Sequence, residues 1–268
     1  MAAINNILKT FSQQELVLSH DDTERNKIIA SLNQLEKVLI SKLQGDILQF
    51  IHFGSFTRNT ILPRKYDSQS DVDLMVVFNI SSGIKTAGTY RNYLSDIISK
   101  SYPNSISKKD FPVVKLELNH IMFDIVPAYF EKNWLNEKTF YIPDNTEKWK
   151  TTVPNDLNTK LERKNQWIGN NTIRNVIRLC KHWNANANYP NQSYLMEKAI
   201  LDIDFWGTED TYSGFLKVMK KMAGNIAGVK QALDYIEQYK GNFITTANEQ
   251  KQLEWLQKLL PGLTIPKI

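Results

Sequence analysis

Two aspartates at the start of an apolar run are the first residues whose type and spacing could do chemistry. Asp71 and Asp73 introduce residues 72–78, which have the apolar density of a central strand. Because alternate side chains of a strand share a face, both carboxylates should point the same way. Neighbouring carboxylates repel each other unless a cation lies between them, and hard divalent ions such as Mg²⁺ prefer oxygen ligands. The alternative is structural, with Asp71 capping a turn and Asp73 on a solvent-facing strand.

A third carboxylate, Asp124, lies among apolar residues in the stretch 121–126. An unpaired charge there would be destabilising, so Asp124 should face a cation, an Arg or Lys side chain, or water. Three carboxylates on neighbouring strands can hold two divalent ions roughly 3.5–4 Å apart. Phosphoryl transfer depends on such positioning and charge neutralisation more than on a covalent nucleophile. We therefore predict that Asp71, Asp73 and Asp124 form a catalytic metal site.

A Gly-Ser pair precedes these acids, in the sequence His52-Phe53-Gly54-Ser55 at the end of a predicted strand. Glycine lets a phosphate approach the backbone, and serine adds a hydroxyl and an N–H. A Gly-Ser alone is a common turn, but one that precedes an Asp-x-Asp strand predicts triphosphate binding by Gly54 and Ser55. The Walker sequence Gly-x-x-x-x-Gly-Lys-Ser/Thr is absent from the chain, which argues against an ordinary P-loop ATPase.

Hydrophobic spacing predicts the elements that must position these residues. Residues 26–43 have the spacing of a long amphipathic helix. Strands are predicted within residues 47–53, 72–78, 113–118 and 120–126, the last ending at Pro127. Residues 141–158 are rich in Pro, Asp, Asn and Thr, which predicts a crossing between lobes, and helical periodicity dominates after them.

The predicted fold class is α+β. A lobe with a mixed sheet backed by helices should occupy residues 1–150, and an α-helical lobe should occupy residues 151–268, with a cleft between them. A length of 268 residues is enough for two such lobes.

Composition sets broad limits on function. The hydrophobic fraction of 42% is that of an ordinary globular protein, and no stretch approaches the roughly 18 apolar residues of a spanning helix. Without a recognisable signal peptide, the protein is expected to be cytoplasmic and to have no membrane partner. The net charge of +5 suits a polyphosphate ligand or nucleic acid but is common in other proteins. The single cysteine, Cys180, is expected to be a buried helical thiol.

Together, Gly54-Ser55, Asp71-x-Asp73 and Asp124 resemble the signature of the polymerase-β-like nucleotidyltransferase superfamily. Further segments resemble the bacterial CD-NTases, the relatives of cyclic GMP-AMP synthase and oligoadenylate synthase that make nucleotide second messengers in antiphage defence. These segments are Phe-Gly-Ser-Phe-Thr-Arg-Asn-Thr (53–60), Ser-Asp-Val-Asp-Leu-Met-Val-Val (70–77), Tyr-Ile-Pro-Asp (141–144), Arg-Leu-Cys-Lys-His-Trp (178–183) and Ser-Tyr-Leu-Met-Glu (193–197). The resemblance runs from about residue 25 to residue 205.

The resemblance implies an enzyme that uses NTPs, ATP or GTP among them, with Mg²⁺ or Mn²⁺ as cofactor. Its product would be a cyclic di- or trinucleotide, made with release of pyrophosphate in CBASS-type antiphage defence and sensed by an effector protein. Activation by long double-stranded DNA is not expected, because one cysteine cannot supply the zinc-bearing insertion of the animal enzyme.

The resemblance also assigns a second group of nucleotide-binding residues. Lys181 and Ser193 would contact the triphosphate, and Tyr194 would stack on a base. Read from the residues alone, Arg174, Arg178 and Lys181 could instead form a solvated helix face, and Tyr194 could pack in the core.

Two other functions are compatible with the same acids. One is nucleotidyl transfer to another acceptor, such as a tRNA end, a small molecule or a protein. The other is a non-catalytic nucleotide sensor, which the presence of all three acids disfavours.

Overall fold

The computed structural model describes residues 2–18, 23–240 and 245–265. The chain divides into two compact units. The sheet unit comprises Leu18–Arg64 and Gln69–Asp156, and the helical unit comprises Met1–Val17, Lys65–Ser68 and Leu157–Ile268. We predicted lobes at residues 1–150 and 151–268. In the structure the later boundary lies between Asp156 and Leu157, and two earlier segments belong to the helical unit.

Long-range contacts explain why two early segments belong to the helical unit. The Ser12 hydroxyl donates a hydrogen bond to the carbonyl of Asn175 at 3.3 Å. The Tyr66 ring packs edge-on against His182, with ring centroids 5.3 Å apart. Contacts between residues so distant in sequence cannot be read from local periodicity.

The described residues form ten α-helices and seven strands, together with short helical turns at Phe11–Glu15 and Gln44–Asp46. In chain order they are α1 (Ala2–Thr10), α2 (Thr23–Leu43), β1 (Ile47–Phe53), α3 (Gly54–Thr57), β2 (Asp71–Phe78), α4 (Ala87–Ser101), β3 (Ile106–Asp110), β4 (Val113–Glu117), β5 (Met122–Lys132), β6 (Lys138–Pro143), β7 (Trp149–Thr152), α5 (Asp156–Ile168), α6 (Thr172–Asn186), α7 (Ser193–Leu201), α8 (Thr211–Ala223), α9 (Ala227–Gln238) and α10 (Thr246–Leu259).

The strands of the sheet unit form one mixed sheet in the order β1-β2-β5-β4-β3, and β6 and β7 extend it from the later part of β5. β2 and β5 are parallel, whereas the other neighbouring strands are antiparallel. We predicted that the strand at residues 120–126 ends at Pro127. This prediction is wrong, because Pro127 pairs with Val76 and the strand, β5, continues to Lys132.

The predicted crossing at residues 141–158 contributes instead to β6 and β7. Aromatic packing on β5 holds both strands in the sheet. Tyr141 stacks on Tyr129 with ring centroids 4.8 Å apart, and Trp149 lies edge-on to Tyr129 at 5.0 Å. The polar composition of this stretch did not reveal these contacts, which depend on a strand that lies earlier in the chain.

The two faces of the sheet differ in character. One face carries alternate apolar residues of β2 and β5, which pack with α2 and α4 in the main core. Its strand residues include Val72, Leu74, Val76, Phe78, Phe123 and Ile125. The opposite face carries Asp71, Asp73 and Asp124 at one end and a smaller apolar cluster, which includes Met75 and Val126, farther along. The alternation in β2 is the one that the sequence predicts.

In the helical unit, α6 is buried along most of its length and packs against α8. Cys180 is a buried thiol, as predicted, and burial raises its pKa. The Arg178 guanidinium donates to the carbonyl of Ser12 at 3.4 Å, and burial lowers its pKa to about 10. The alternative of a solvated basic face is therefore wrong for Arg178 and for Lys181, which is also buried.

Among the described residues, no helix has both the length and the apolar character needed to cross a membrane.

Candidate active site

The pairing of β2 with β5 positions three carboxylates on one side of the sheet. Asp73 is the register partner of Asp124, and neighbouring parallel strands lie about 4.8 Å apart, so both side chains project from the same face. Asp71 lies two residues before Asp73 and shares that face. We call Asp71, Asp73 and Asp124 the acid face. All three residues are partly buried.

The glycine of the Gly-Ser pair lies directly against this face. β1 ends at Phe53, which pairs with Asp73, and Gly54 follows with a φ of +75°. A Cβ added to Gly54 would lie 1.7 Å from Asp73 Oδ2, so the carboxylate would have to move. Glycine therefore leaves room for this carboxylate, and its positive φ also favours glycine, whereas from the sequence we predicted only the approach of a phosphate.

Ser55 is buried within the short helix α3. Its carbonyl accepts hydrogen bonds from the N–H groups of Thr60 and Ile61 at 2.9 and 3.1 Å, which fixes the turn after the helix. Just before Asp71, the hydroxyl of Ser70 donates to the carbonyl of Leu62 at 2.8 Å. These bonds tie the connection between α3 and β2 to the start of the acid face.

Asp124 has a cationic neighbour that sequence reasoning did not identify. Lys115 Nζ lies 3.5 Å from Asp124 Oδ2, and the two residues are register partners on β4 and β5. Burial raises the pKa of Asp124, and the positive charge of Lys115 acts in the opposite direction. Burial acts to lower the pKa of Lys115, yet Asp124 and Asp110 raise it overall. The sequence shows the alternation of residues 113–118, but it does not show that this strand pairs with β5, which brings Lys115 to Asp124.

The oxygen atoms of the acid face are of the type that binds a divalent ion. Asp124 Oδ1 is buried and has no hydrogen-bond partner among the described residues, which is a costly position for a carboxylate oxygen unless a cation satisfies it. Carboxylates are also the ligands that Mg²⁺ prefers. Within residues 2–18, 23–240 and 245–265, no group of three or more His, Cys, Asp or Glu side chains is gathered closely enough to hold a metal ion. The three aspartates thus have the right ligand type and lie on one face of the sheet, but their side chains are not gathered around one point.

The second predicted group lies in the helical unit. Lys181 on α6 is buried, and its Nζ lies 3.2 Å from Glu197 Oε1 on α7, which is buried as well. Ser193 is the first residue of α7, and Tyr194 follows it with an exposed fraction of 53%. The alternative of core packing is therefore wrong for Tyr194. The pair between Lys181 and Glu197 joins the two helices that carry these residues, and sequence reasoning did not identify Glu197.

Comparison with known proteins identifies the family. Residues 1–165 match the family model described as SMODS, the Second Messenger Oligonucleotide or Dinucleotide Synthetase domain. A probable cyclic nucleotide synthase of Bacillus cereus (strain VD146) is 28% identical over 233 residues, which cover 70% of this chain and 69% of the relative. The CBASS oligonucleotide cyclase CdnC of Escherichia coli (strain KTE188) is 27% identical over 210 residues, which cover 74% of this chain and 64% of that protein.

Solved structures show the same fold. The CdnC of Escherichia coli MS115-1, in a complex with a HORMA protein, has a TM-score of 0.67 at 14% identity and covers 98% of both chains. Escherichia coli DncV in its 3′-deoxy GTP-bound form has a TM-score of 0.64 at 10% identity, over 96% of this chain and 98% of that one.

These findings confirm the predicted α+β fold of the polymerase-β-like type and the predicted nucleotidyltransferase activity, and they do not favour transfer to other acceptors. Because the family match covers more than half of the 268 residues, the chain belongs to the SMODS family and is a bacterial CD-NTase, an enzyme that makes nucleotide second messengers.

Proposed function

We propose that the protein joins NTPs into a cyclic di- or trinucleotide with Mg²⁺, or Mn²⁺ in its place, as cofactor. The observation that carries this proposal is the convergence of Gly54, Asp73 and Asp124, in which glycine leaves room for one carboxylate beside its register partner. In each step, a 2′- or 3′-hydroxyl oxygen forms a bond to an α-phosphorus. The bond from that phosphorus to the pyrophosphate oxygen breaks, and pyrophosphate leaves.

The acid face supplies the groups that this reaction needs. Asp71, Asp73 and Asp124 would hold the ions that accompany the triphosphate. Asp124 would also take the proton of the attacking hydroxyl, a role supported by its Oδ1, which has no hydrogen-bond partner among the described residues. When bound, divalent ions would neutralise the triphosphate and make the hydroxyl easier to deprotonate. Gly54 and Ser55 bind the triphosphate through the backbone of the turn that follows β1.

In the helical unit, we assign Lys181 and Ser193 to the triphosphate and Tyr194 to a base. The exposure of the Tyr194 ring supports stacking, since a buried ring could not receive a base. The ion pair of Lys181 with Glu197 supports a further contribution of Lys181, which is to hold α7 against α6.

We further propose that the cyclic product acts on an effector protein in antiphage defence. Two relatives support this, since one is a probable cyclic nucleotide synthase and the other is a CBASS oligonucleotide cyclase.

The test is incubation of purified protein with radiolabelled NTPs and Mg²⁺, followed by phosphatase treatment and mass spectrometry of the product. Asp73→Asn should abolish the phosphatase-resistant product. Asp96→Asn should preserve it, because this exposed aspartate lies on α4, on the other side of the sheet. Label on an added tRNA, small molecule or protein would favour the alternative acceptors. Nucleotide binding without any turnover would favour a sensor.

A further inference from the structure

Lys115 is in direct ionic contact with Asp124 of the acid face, and the proposed reaction does not use it. Its side chain is 21% exposed and that of Asp124 is 14% exposed, so both charges are largely removed from water. A buried carboxylate is strongly destabilised when it has no counter-charge. Lys115 provides that charge through Asp124 Oδ2, while Oδ1 has no hydrogen-bond partner among the described residues.

Lys115 also has a second carboxylate within reach. Its Nζ lies 3.3 Å from Asp110 Oδ2, at the end of β3, and the side chain of Asp110 is 55% exposed. The ammonium therefore lies between a buried carboxylate on one side and an exposed carboxylate on the other. If a different cation approached Asp124, Lys115 could keep an ionic partner by remaining with Asp110.

A lysine in this position opposes the binding of metal ions. The charge of Lys115 stabilises the ionised Asp124, and it repels any divalent ion that uses the same carboxylate. Loss of the charge would strengthen ion binding, whereas loss of a merely structural contact would weaken it or leave it unchanged.

We propose that Lys115 is the resident counter-ion of the acid face and sets its affinity for divalent ions. The role rests on the proposed function, in which the acid face binds ions together with a triphosphate. The lysine keeps ion binding weak in the nucleotide-free protein, and the negative charge of the triphosphate compensates for it when substrate enters. Lys115 is thus a positioning residue that acts through Asp124 and does not itself touch the reacting atoms.

The experiment is a titration of nucleotide-free protein with Mn²⁺, read by electron paramagnetic resonance. Lys115→Met should bind Mn²⁺ roughly tenfold more tightly than the wild type, the scale expected for one charge in a partly buried site. Lys115→Arg keeps the charge and should bind as the wild type does. Asp110→Asn should bind Mn²⁺ more weakly than the wild type. Of its two carboxylate partners Lys115 then keeps only Asp124, and it competes more strongly with the ion for that carboxylate.

Lys109→Met is the matched control. Lys109 lies on the neighbouring strand β3, is register partner of Val114 rather than Lys115, and donates to Asn92 at 2.6 Å. Its removal changes the net charge equally and should leave Mn²⁺ affinity at the wild-type value. Lys115→Gln repeats the test if Lys115→Met does not fold, as judged by circular dichroism.

Mn²⁺ binding by Lys115→Met and Lys115→Gln that is equal to or weaker than that of the wild type, including no detectable binding by any protein, would overturn the role of Lys115. Pyrophosphate release from NTPs is measured on the same samples. A wild-type protein that releases no pyrophosphate but shows the expected order of affinities would contradict the proposed function alone.

Discussion

The two units of the molecule use charged side chains in different ways. In the sheet unit, Asp71 and Asp73 extend from a strand face and remain partly exposed, held there by the register of β2 with its neighbours. In the helical unit, Lys181 and Glu197 are 5% and 1% exposed and form an ion pair with each other. Breaking a buried ion pair is strongly destabilising, whereas a partly exposed carboxylate can be reached by a ligand. Breaking the pair of Lys181 with Glu197 should therefore change stability in addition to nucleotide binding, whereas substitutions of Asp71 and Asp73 should mainly change activity.

The largest expected effect is on the buried pair of the helical unit. Lys181→Met leaves Glu197 with its charge and without this partner, and such a break lowers the free energy of unfolding by about 3–5 kcal/mol. The double variant Lys181→Met/Glu197→Gln also removes the buried negative charge and should recover most of the loss. Urea unfolding followed by circular dichroism measures both.

A surface pair on α10 is the control for this comparison. Lys251 and Glu254 are 52% and 44% exposed, so Lys251→Met should lower the free energy of unfolding by no more than about 1 kcal/mol. Equal effects of Lys181→Met and Lys251→Met would show that buried charge does not hold the helical unit together.

The next largest effect is expected for Gly54→Ala in the sheet unit. The new Cβ would meet Asp73 Oδ2 at 1.7 Å and displace this carboxylate. A displacement of about 1 Å can lower a catalytic rate by roughly 100-fold, so pyrophosphate release should fall at least that far. Gly83→Ala is the matched control, since Gly83 also has a positive φ, +103°, but nothing lies within 4 Å of its added Cβ. If both variants lose activity equally, backbone strain rather than the contact with Asp73 is responsible.

Features that depend on local spacing could be predicted from the sequence, whereas features that depend on contacts between distant residues could not. The acid face follows from local alternation, because Asp71 and Asp73 must share a face of any strand that buries Val72. Lys115 and Glu197 were missed, because the partner of each is fixed by strand order or helix packing and not by spacing along the chain. β6 and β7 were missed for a similar reason, since Tyr141 and Trp149 pack on a residue of β5.

A smaller change in stability is expected from Asp124→Asn, a substitution that affects both activity and stability. Burial raises the pKa of Asp124 and Lys115 only partly opposes this, so the carboxyl ionises less readily in the folded protein than in the unfolded chain. Above the folded-state pKa its charge therefore lowers the free energy of unfolding, and below the unfolded-state pKa, about 3.9, this penalty is absent.

Asp124→Asn should accordingly abolish pyrophosphate release while raising the free energy of unfolding of the metal-free protein at neutral pH. The gain should shrink as the pH falls through the folded-state pKa, because the wild-type carboxyl then becomes neutral as well. Urea unfolding in EDTA over a series of pH values measures it, with the exposed Asp96→Asn as a control that should show no gain. A loss of stability at neutral pH would mean that the contact with Lys115 outweighs the desolvation of Asp124. The acid face would then be held together by its own charges, as the helical unit is.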